Sequence, residues 1–165
     1  DRGLSMKMRS FILLLCCLTV GSACAEGDLT FHGFLVRPPD CVISNDQTIE
    51  VNFVDVQIEE IDGTKFMQNL PYTINCDSPD RYSDLTMSLT LTGNVTDFNN
   101  AAVMTDVSGL GIEILHGNTP FELGSTLTVT EQALPVLKAV PVKKTGAVMY
   151  AGNFEGWATL QVDYQ

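Results

Sequence analysis

The sequence predicts an all-β domain folded as an antiparallel sandwich, and three observations point there. Leu85-Thr86-Met87-Ser88-Leu89-Thr90-Leu91-Thr92 alternates apolar and hydroxyl side chains, which puts one face of an extended chain in a core and the other in water. Turn-forming residues recur at short intervals, at Pro38-Pro39, Asn45-Asp46, Asp62-Gly63, Ser78-Pro79-Asp80, Gly93-Asn94 and Asn99-Asn100, and short strands at such spacing are the pattern of a sandwich. No long segment keeps a helical period.

The first 25 residues stand apart from that pattern. Lys7 and Arg9 form a basic start, residues 11–20 are an apolar run of ten, and Ala23-Cys24-Ala25 ends it with small residues. That order is a secretory signal peptide, and the run is too short to span a bilayer. A lipoprotein reading through Cys24 is weak, because Gly21 stands where a large aliphatic residue is needed. Asp1 to Ser5 precede Met6 and are expected to lie outside the natural reading frame. Cleavage after Ala25 would leave residues 26–165, 140 in all and one domain's worth of core.

Within residues 26–165 six Lys or Arg stand against nineteen Asp or Glu, a net charge of −13. Such a chain is a poor partner for nucleic acid, where neutralising phosphates supplies most of the affinity. Cys16, Cys17 and Cys24 leave with the signal peptide, so Cys41 and Cys76 remain, and two cysteines in an exported chain point to one disulfide. Metal binding is the rival, but two thiols with only His32 and His116 make a poor zinc set.

The strands follow in order. Ile49, Val51 and Phe53 alternate, as do Leu70, Tyr72, Ile74 and Cys76. Leu110-Gly111-Ile112-Glu113-Ile114 leads into the turn signal His116-Gly117-Asn118. Leu127-Thr128-Val129 and residues 136–142 are two more short strands, and Pro135 and Pro141 suggest an edge position for the second.

No catalytic residues, metal ligands or cofactor site are expected. His32 and His116 have no nucleophile beside them, Glu59-Glu60 and Asp62 read as a solvated loop, and Asp77, Asp80 and Asp84 lack calcium-loop spacing. No glycine-rich phosphate loop is present. The expectation is a protein that is not an enzyme.

The two ends carry the functional signal. Gly152, Phe154, Gly156, Ala158, Leu160, Val162 and Tyr164 occupy every second position up to the final Gln165. This is one long strand with one apolar face, and alternation alone is equally that of an ordinary last strand in a closed sandwich. Leu29, Phe31, Gly33 and Leu35 also alternate until Arg37-Pro38-Pro39 stops the run. That segment pairs either within its own domain or with another chain, and the residues alone leave both open.

The chain resembles, over nearly its whole length, the fimbrial subunits of chaperone–usher pili. Residues 28–36 followed by Pro38-Pro39-Asp40-Cys41 are similar to the N-terminal extension and first cysteine of P-pilus tip-fibrillum and adaptor subunits. Cys76 sits where the second cysteine falls, and residues 110–115 resemble the central strand. Gly152 is fourteenth from the end and Tyr164 is penultimate, as in the family. Two departures are Asp40, which blurs the end of the extension, and Gly156, where the family more often has Ala and which is expected to weaken the contact of that face.

The resemblance implies an incomplete immunoglobulin-like β-sandwich that lacks its last strand and is completed by a donor strand. It implies a boundary scheme of residues 1–25 as leader, 26–40 as donor extension and 41–165 as pilin domain. Leu29, Phe31, Gly33 and Leu35 would form the donor strand. Gly152, Phe154, Ala158, Leu160, Val162, Tyr164 and Gln165 would form the groove strand that meets a periplasmic chaperone. At the outer-membrane usher a neighbouring subunit's extension would replace the chaperone by β-strand addition. The implied function is a structural subunit supporting cell adhesion, exported through the periplasm to a fimbrium on the cell surface. The other function class is a free exported β-sandwich that binds a ligand itself.

Overall fold

The computed structural model describes residues 27–33, 35, 40–77 and 86–164. The leader expected over residues 1–25, the prolines at 38 and 39, the turn expected at residues 78–80 and the terminal Gln165 lie outside these. The chain divides into two units, Asp1–Leu35 and Val36–Gln165. In the first, residues 27–33 and Leu35 form no regular secondary structure.

The second unit is almost entirely β. Its strands are β1 (Cys41–Ile43), β2 (Gln68–Asn69), β3 (Ile74–Cys76), β4 (Met87–Gly93), β5 (Ala102–Met104), β6 (Leu110–His116), β7 (Thr119–Pro120), β8 (Thr126–Val129), β9 (Leu137–Lys143) and β10 (Ala158–Tyr164), with two short 3-10 turns at Ser44–Asp46 and Ile58–Glu60. Two sheets face each other. One has the order β10-β4-β8 and the other β2-β9-β6-β5, with β7 added to β6. Every pairing is antiparallel.

The core lies between the sheets. Met87, Leu89 and Leu91 point inward from β4, against Ile112 and Ile114 of β6 and Leu137 and Ala139 of β9, with Val103, Phe121 and Val129 closing the cluster. On the hydroxyl face of β4 Ser88 is buried, Thr90 half-buried and Thr92 exposed, and the Thr90 and Thr126 hydroxyls lie 3.1 Å apart on adjacent strands. Gly117 takes φ +60° in the two-residue loop that joins His116 to Thr119, a position where a side chain would be strained. Gly111 in the central strand is required by space, since a Cβ there would lie 2.8 Å from Thr96 Cγ2.

Three expectations change. Residues 49–53 alternate in burial, with Ile49, Val51 and Phe53 half-buried, yet they form no strand, because no described segment pairs with them. The run from Leu70 to Cys76 keeps its alternation in burial, but β2 ends before it at Asn69 and only Ile74–Cys76 is a strand. Pro71 supplies no N–H there, and the Tyr72 N–H folds back onto the Leu70 carbonyl at 3.0 Å. Nor is β9 an edge strand: it lies between β2 and β6. Pro141 is tolerated because β2 flanks only Lys138 and Ala139, so at Pro141 β9 has a partner on one side alone, opposite Ile112.

Cys41 and Cys76 face each other across β1 and β3 and form a disulfide. The ladder continues one residue further, with the Asp40 N–H on Asp77 Oδ1 at 3.0 Å and the Asp77 N–H on the Asp40 carbonyl at 3.1 Å. The bond closes a separation of 35 residues, for which chain entropy gives about 4 kcal/mol of stabilisation. Replacing both cysteines by serine is therefore expected to lower unfolding free energy by about 4 kcal/mol, read as the urea midpoint of the exported chain. An unchanged midpoint would show that β1 and β3 are held without it.

Candidate functional site

A long groove of about 1870 Å³ runs along the second unit. One bank is residues 46–59 and the other is residues 149–162, while the floor is core side chains of both sheets, including Leu91, Val103, Ile112, Ile114 and Leu137. The groove exists because β10 pairs on one edge only, with β4, from Ala158 opposite Gly93 to Tyr164 opposite Met87. Leu160, Val162 and Tyr164 pack on the core yet stay half-buried, whereas their neighbours Leu91, Leu89 and Met87 on β4 are buried. An edge strand whose apolar face is only partly covered is a template for a further strand.

The opposite bank has the same character. Ile49, Val51 and Phe53 turn inward while Glu50, Asn52 and Val54 are exposed. At Asp55 the backbone enters the left-handed region, φ 50°. The inward positions then shift to Val56 and Ile58, both half-buried. Phe53 and Phe154 come together with ring centroids 6.0 Å apart.

Of the expected site residues, all but Gln165 are among the described residues. Gly152, Phe154, Ala158, Leu160 and Val162 line the groove, and Tyr164 packs on the core beyond its lining. The strand itself is shorter than the alternation suggests: β10 starts at Ala158, and residues 152–155 and 157 belong to no strand. Gly156 forms an isolated bridge with Thr105, and a Cβ there would approach the Met104 carbonyl oxygen to 3.0 Å. Glycine therefore serves close approach at that position, where the sequence suggested only a weakened contact. Leu29, Phe31 and Leu35 are exposed, and a Cβ at Gly33 would meet nothing within 4 Å. Val51, Phe53, Val56, Tyr150 and Trp157 also line the groove; of these the sequence signalled only Val51 and Phe53, through alternation read as an ordinary strand.

The groups with displaced titration lie elsewhere and have structural causes. Asp62 is held down to about 2 by the backbone N–H of Lys65 and by the hydroxyl and N–H of Thr64, which it accepts in a tight turn. A hydrogen bond from Lys144 lowers Asp97. Burial pushes Tyr72 from 10.0 up to about 12, and its hydroxyl donates to the Pro135 carbonyl at 2.6 Å. A raised phenol pKa adds stability that is complete below the unfolded value near 10 and is lost as pH rises toward 12. Tyr72→Phe should cost about 1 kcal/mol near neutrality and flatten the alkaline decline. Urea midpoints near neutral pH and at about pH 11, within the window set by linkage, check this, and an equally steep decline in the variant would assign it to other groups.

Two facing sheets, one ending in a half-used edge strand beside a groove with an apolar floor, make an open β-sandwich. The comparisons agree. The fimbrial protein family model matches residues 29–165. The fimbrial-like protein YfcQ of Escherichia coli K12 is 44% identical over 160 residues, covering 95% of this chain and 99% of that one. Among solved structures, the P pilus rod subunit PapA matches with a TM-score of 0.59 at 21% identity, covering 76% of this chain and 99% of PapA. The P pilus adaptor subunit PapF matches with a TM-score of 0.55 at 25% identity, covering 78% of this chain and 97% of PapF. The chain belongs to the fimbrial protein family of chaperone–usher pilus subunits. It is a structural component of a surface pilus and not an enzyme.

Proposed function

We propose that the chain polymerises by donor-strand exchange and supports adhesion of the cell that displays it. The observation that carries this is the groove, apolar at its floor, beside the edge of β10 that no described strand pairs with. An extended segment laid there gains main-chain hydrogen bonds along β10, and its alternate side chains reach the floor. Leu29, Phe31, Gly33 and Leu35 supply such a segment to a neighbour. Three or four apolar side chains at about 1.5–3 kcal/mol each give roughly 5–10 kcal/mol, comparable to the whole stability of a domain, about 5–15 kcal/mol. The acceptor is therefore marginal without a donor, which calls for a chaperone.

In this reading residues 1–25 direct export, residues 26–40 form the donor extension and residues 41–165 form the acceptor domain. A periplasmic chaperone occupies the groove first, an outer-membrane usher hosts the exchange, and neighbouring subunits are the final partners. The route runs through the periplasm to the fimbrium. The test is expression of the exported chain with and without a pilus chaperone. Soluble recovery only as a complex with the chaperone is expected. A chain that stays soluble and monomeric alone would support a free ligand-binding sandwich instead.

A further inference from the structure

The groove carries charge of one sign. Its charged lining residues are Asp46, Glu50, Asp55 and Glu59 on one bank and Glu155 on the other, all exposed, and no Lys or Arg lines it among the described residues. Two cations sit at the end of the first bank: Lys65 pairs with Glu60 at 3.5 Å, and Lys143 Nζ donates to the carbonyl of the lining residue Ile58 at 2.7 Å, which leaves the charge of Glu50, Asp55 and Glu155 uncompensated by either. Glu155 is fixed by an exchange of hydrogen bonds, its N–H on Asp106 Oδ1 at 2.7 Å and its carbonyl accepting from the Asp106 N–H at 2.9 Å, which sets a further carboxylate beside that bank.

The apolar and charged parts are arranged in register. On the first bank the side chains of Ile49, Val51 and Phe53 turn inward, while Glu50 stays exposed between them. An extended occupant has the same period of two, so its inward side chains meet the floor and its outward ones come level with the rims. Low-dielectric walls focus the field of the rim carboxylates along that line.

We propose that this groove selects its donor by charge: it takes the N-terminal segment of a different subunit whose outward positions carry Lys or Arg, and it disfavours segments with Asp or Glu there. The inference rests on the strand-acceptor reading above. A second copy of this chain is a poor occupant, because the outward positions of its own segment are Asp28, Thr30, His32, Phe34 and Val36, with one acid and no Lys or Arg. Like charge at the rim thus works against self-polymerisation, an instance of specificity by repulsion.

Three synthetic peptides of residues 28–36 test this, all keeping Leu29, Phe31, Gly33 and Leu35. One is native, one carries Asp28→Lys, Thr30→Lys and His32→Lys, and one carries Thr30→Glu and His32→Glu. Each is titrated into the chaperone-bound chain, and its displacement of the chaperone from the groove is followed on a native gel. Exposed pairs are weak singly but several act together, so the lysine peptide is expected to bind about tenfold more tightly than the glutamate peptide at about 0.01 M salt. The gap should shrink below about twofold at about 1 M salt, where the Debye length falls from about 30 Å to about 3 Å. Glu50→Gln combined with Glu155→Gln, both at exposed positions, should narrow the low-salt gap by weakening the lysine peptide and strengthening the glutamate peptide, with the native peptide, which carries Asp28, gaining slightly. Equal affinities for the lysine and glutamate peptides, or a gap that survives high salt or the double substitution, would overturn charge selection and leave strand acceptance standing. Failure of all three peptides to bind would overturn both.

Discussion

Leu160→Asp is expected to abolish recovery of the subunit as a folded chaperone complex. Leu160 sits in β10 opposite Leu91 and packs on the core while lining the groove. The substitution removes about 2 kcal/mol of apolar burial and places a carboxylate, with no partner provided, where an apolar side chain stood, at a further cost of about 2 kcal/mol or more. A domain holds only about 5–15 kcal/mol in total, and this face also receives the incoming strand. Tyr164→Ser, further along the same face, should lower the yield less. Thr159→Asp is the control: Thr159 is exposed and turns to the other side of β10, so its effect should stay within about 0.5 kcal/mol. Complex yield after co-expression with the chaperone is the readout. Wild-type yields for both Leu160→Asp and Tyr164→Ser would make β10 an ordinary last strand.

Gly33→Leu should separate donating from accepting. Gly33 lies in a unit apart from residues 36–165, without regular structure, and a Cβ there would meet no described atom within 4 Å beyond its chain neighbours, so the acceptor fold is expected to tolerate the change. In a neighbour's groove the added side chain must be packed against the floor, at about 1–3 kcal/mol, which is roughly 5- to 150-fold in the exchange equilibrium. The variant is therefore expected to form a normal chaperone complex and to fail in exchange with a chaperone-bound acceptor, followed as a dimer on a gel. Wild-type exchange would mean that this segment does not donate. Loss of the chaperone complex would mean that residues 28–36 belong to the subunit's own core.

Much of this fold is legible as alternation, because a strand with one face in a core must alternate. The Met87–Gly93, Leu110–His116, Thr126–Val129 and Leu137–Lys143 strands all lie where the pattern places them. What alternation reports is which side chains face the core, and it says nothing of whether the backbone has a partner. Ile49, Val51 and Phe53 do face inward, yet that segment is the bank of a groove and not a strand. The C-terminal alternation likewise runs from Gly152 but pairing begins only at Ala158, since the preceding residues are held by the Thr105–Gly156 bridge and by Asp106. Ala102–Met104 gave no signal: three residues beside Asn99-Asn100 are too short to show a period. The acidic rim is a product of tertiary structure, because Glu50 and Glu155 are far apart in the chain and share only the groove.

The most direct test of the central claim is hydrogen exchange, by mass spectrometry, on the acceptor domain released from its chaperone into dilute solution, with and without an added donor strand. The donor is the lysine-bearing peptide described above, with Leu29, Phe31, Gly33 and Leu35 retained. Backbone amides of Ala158–Tyr164 and of residues 49–56 should gain protection together, while those of Leu110–His116, paired on both sides already, should change little. Binding of the peptide with no added protection in Ala158–Tyr164 would contradict strand addition at this edge.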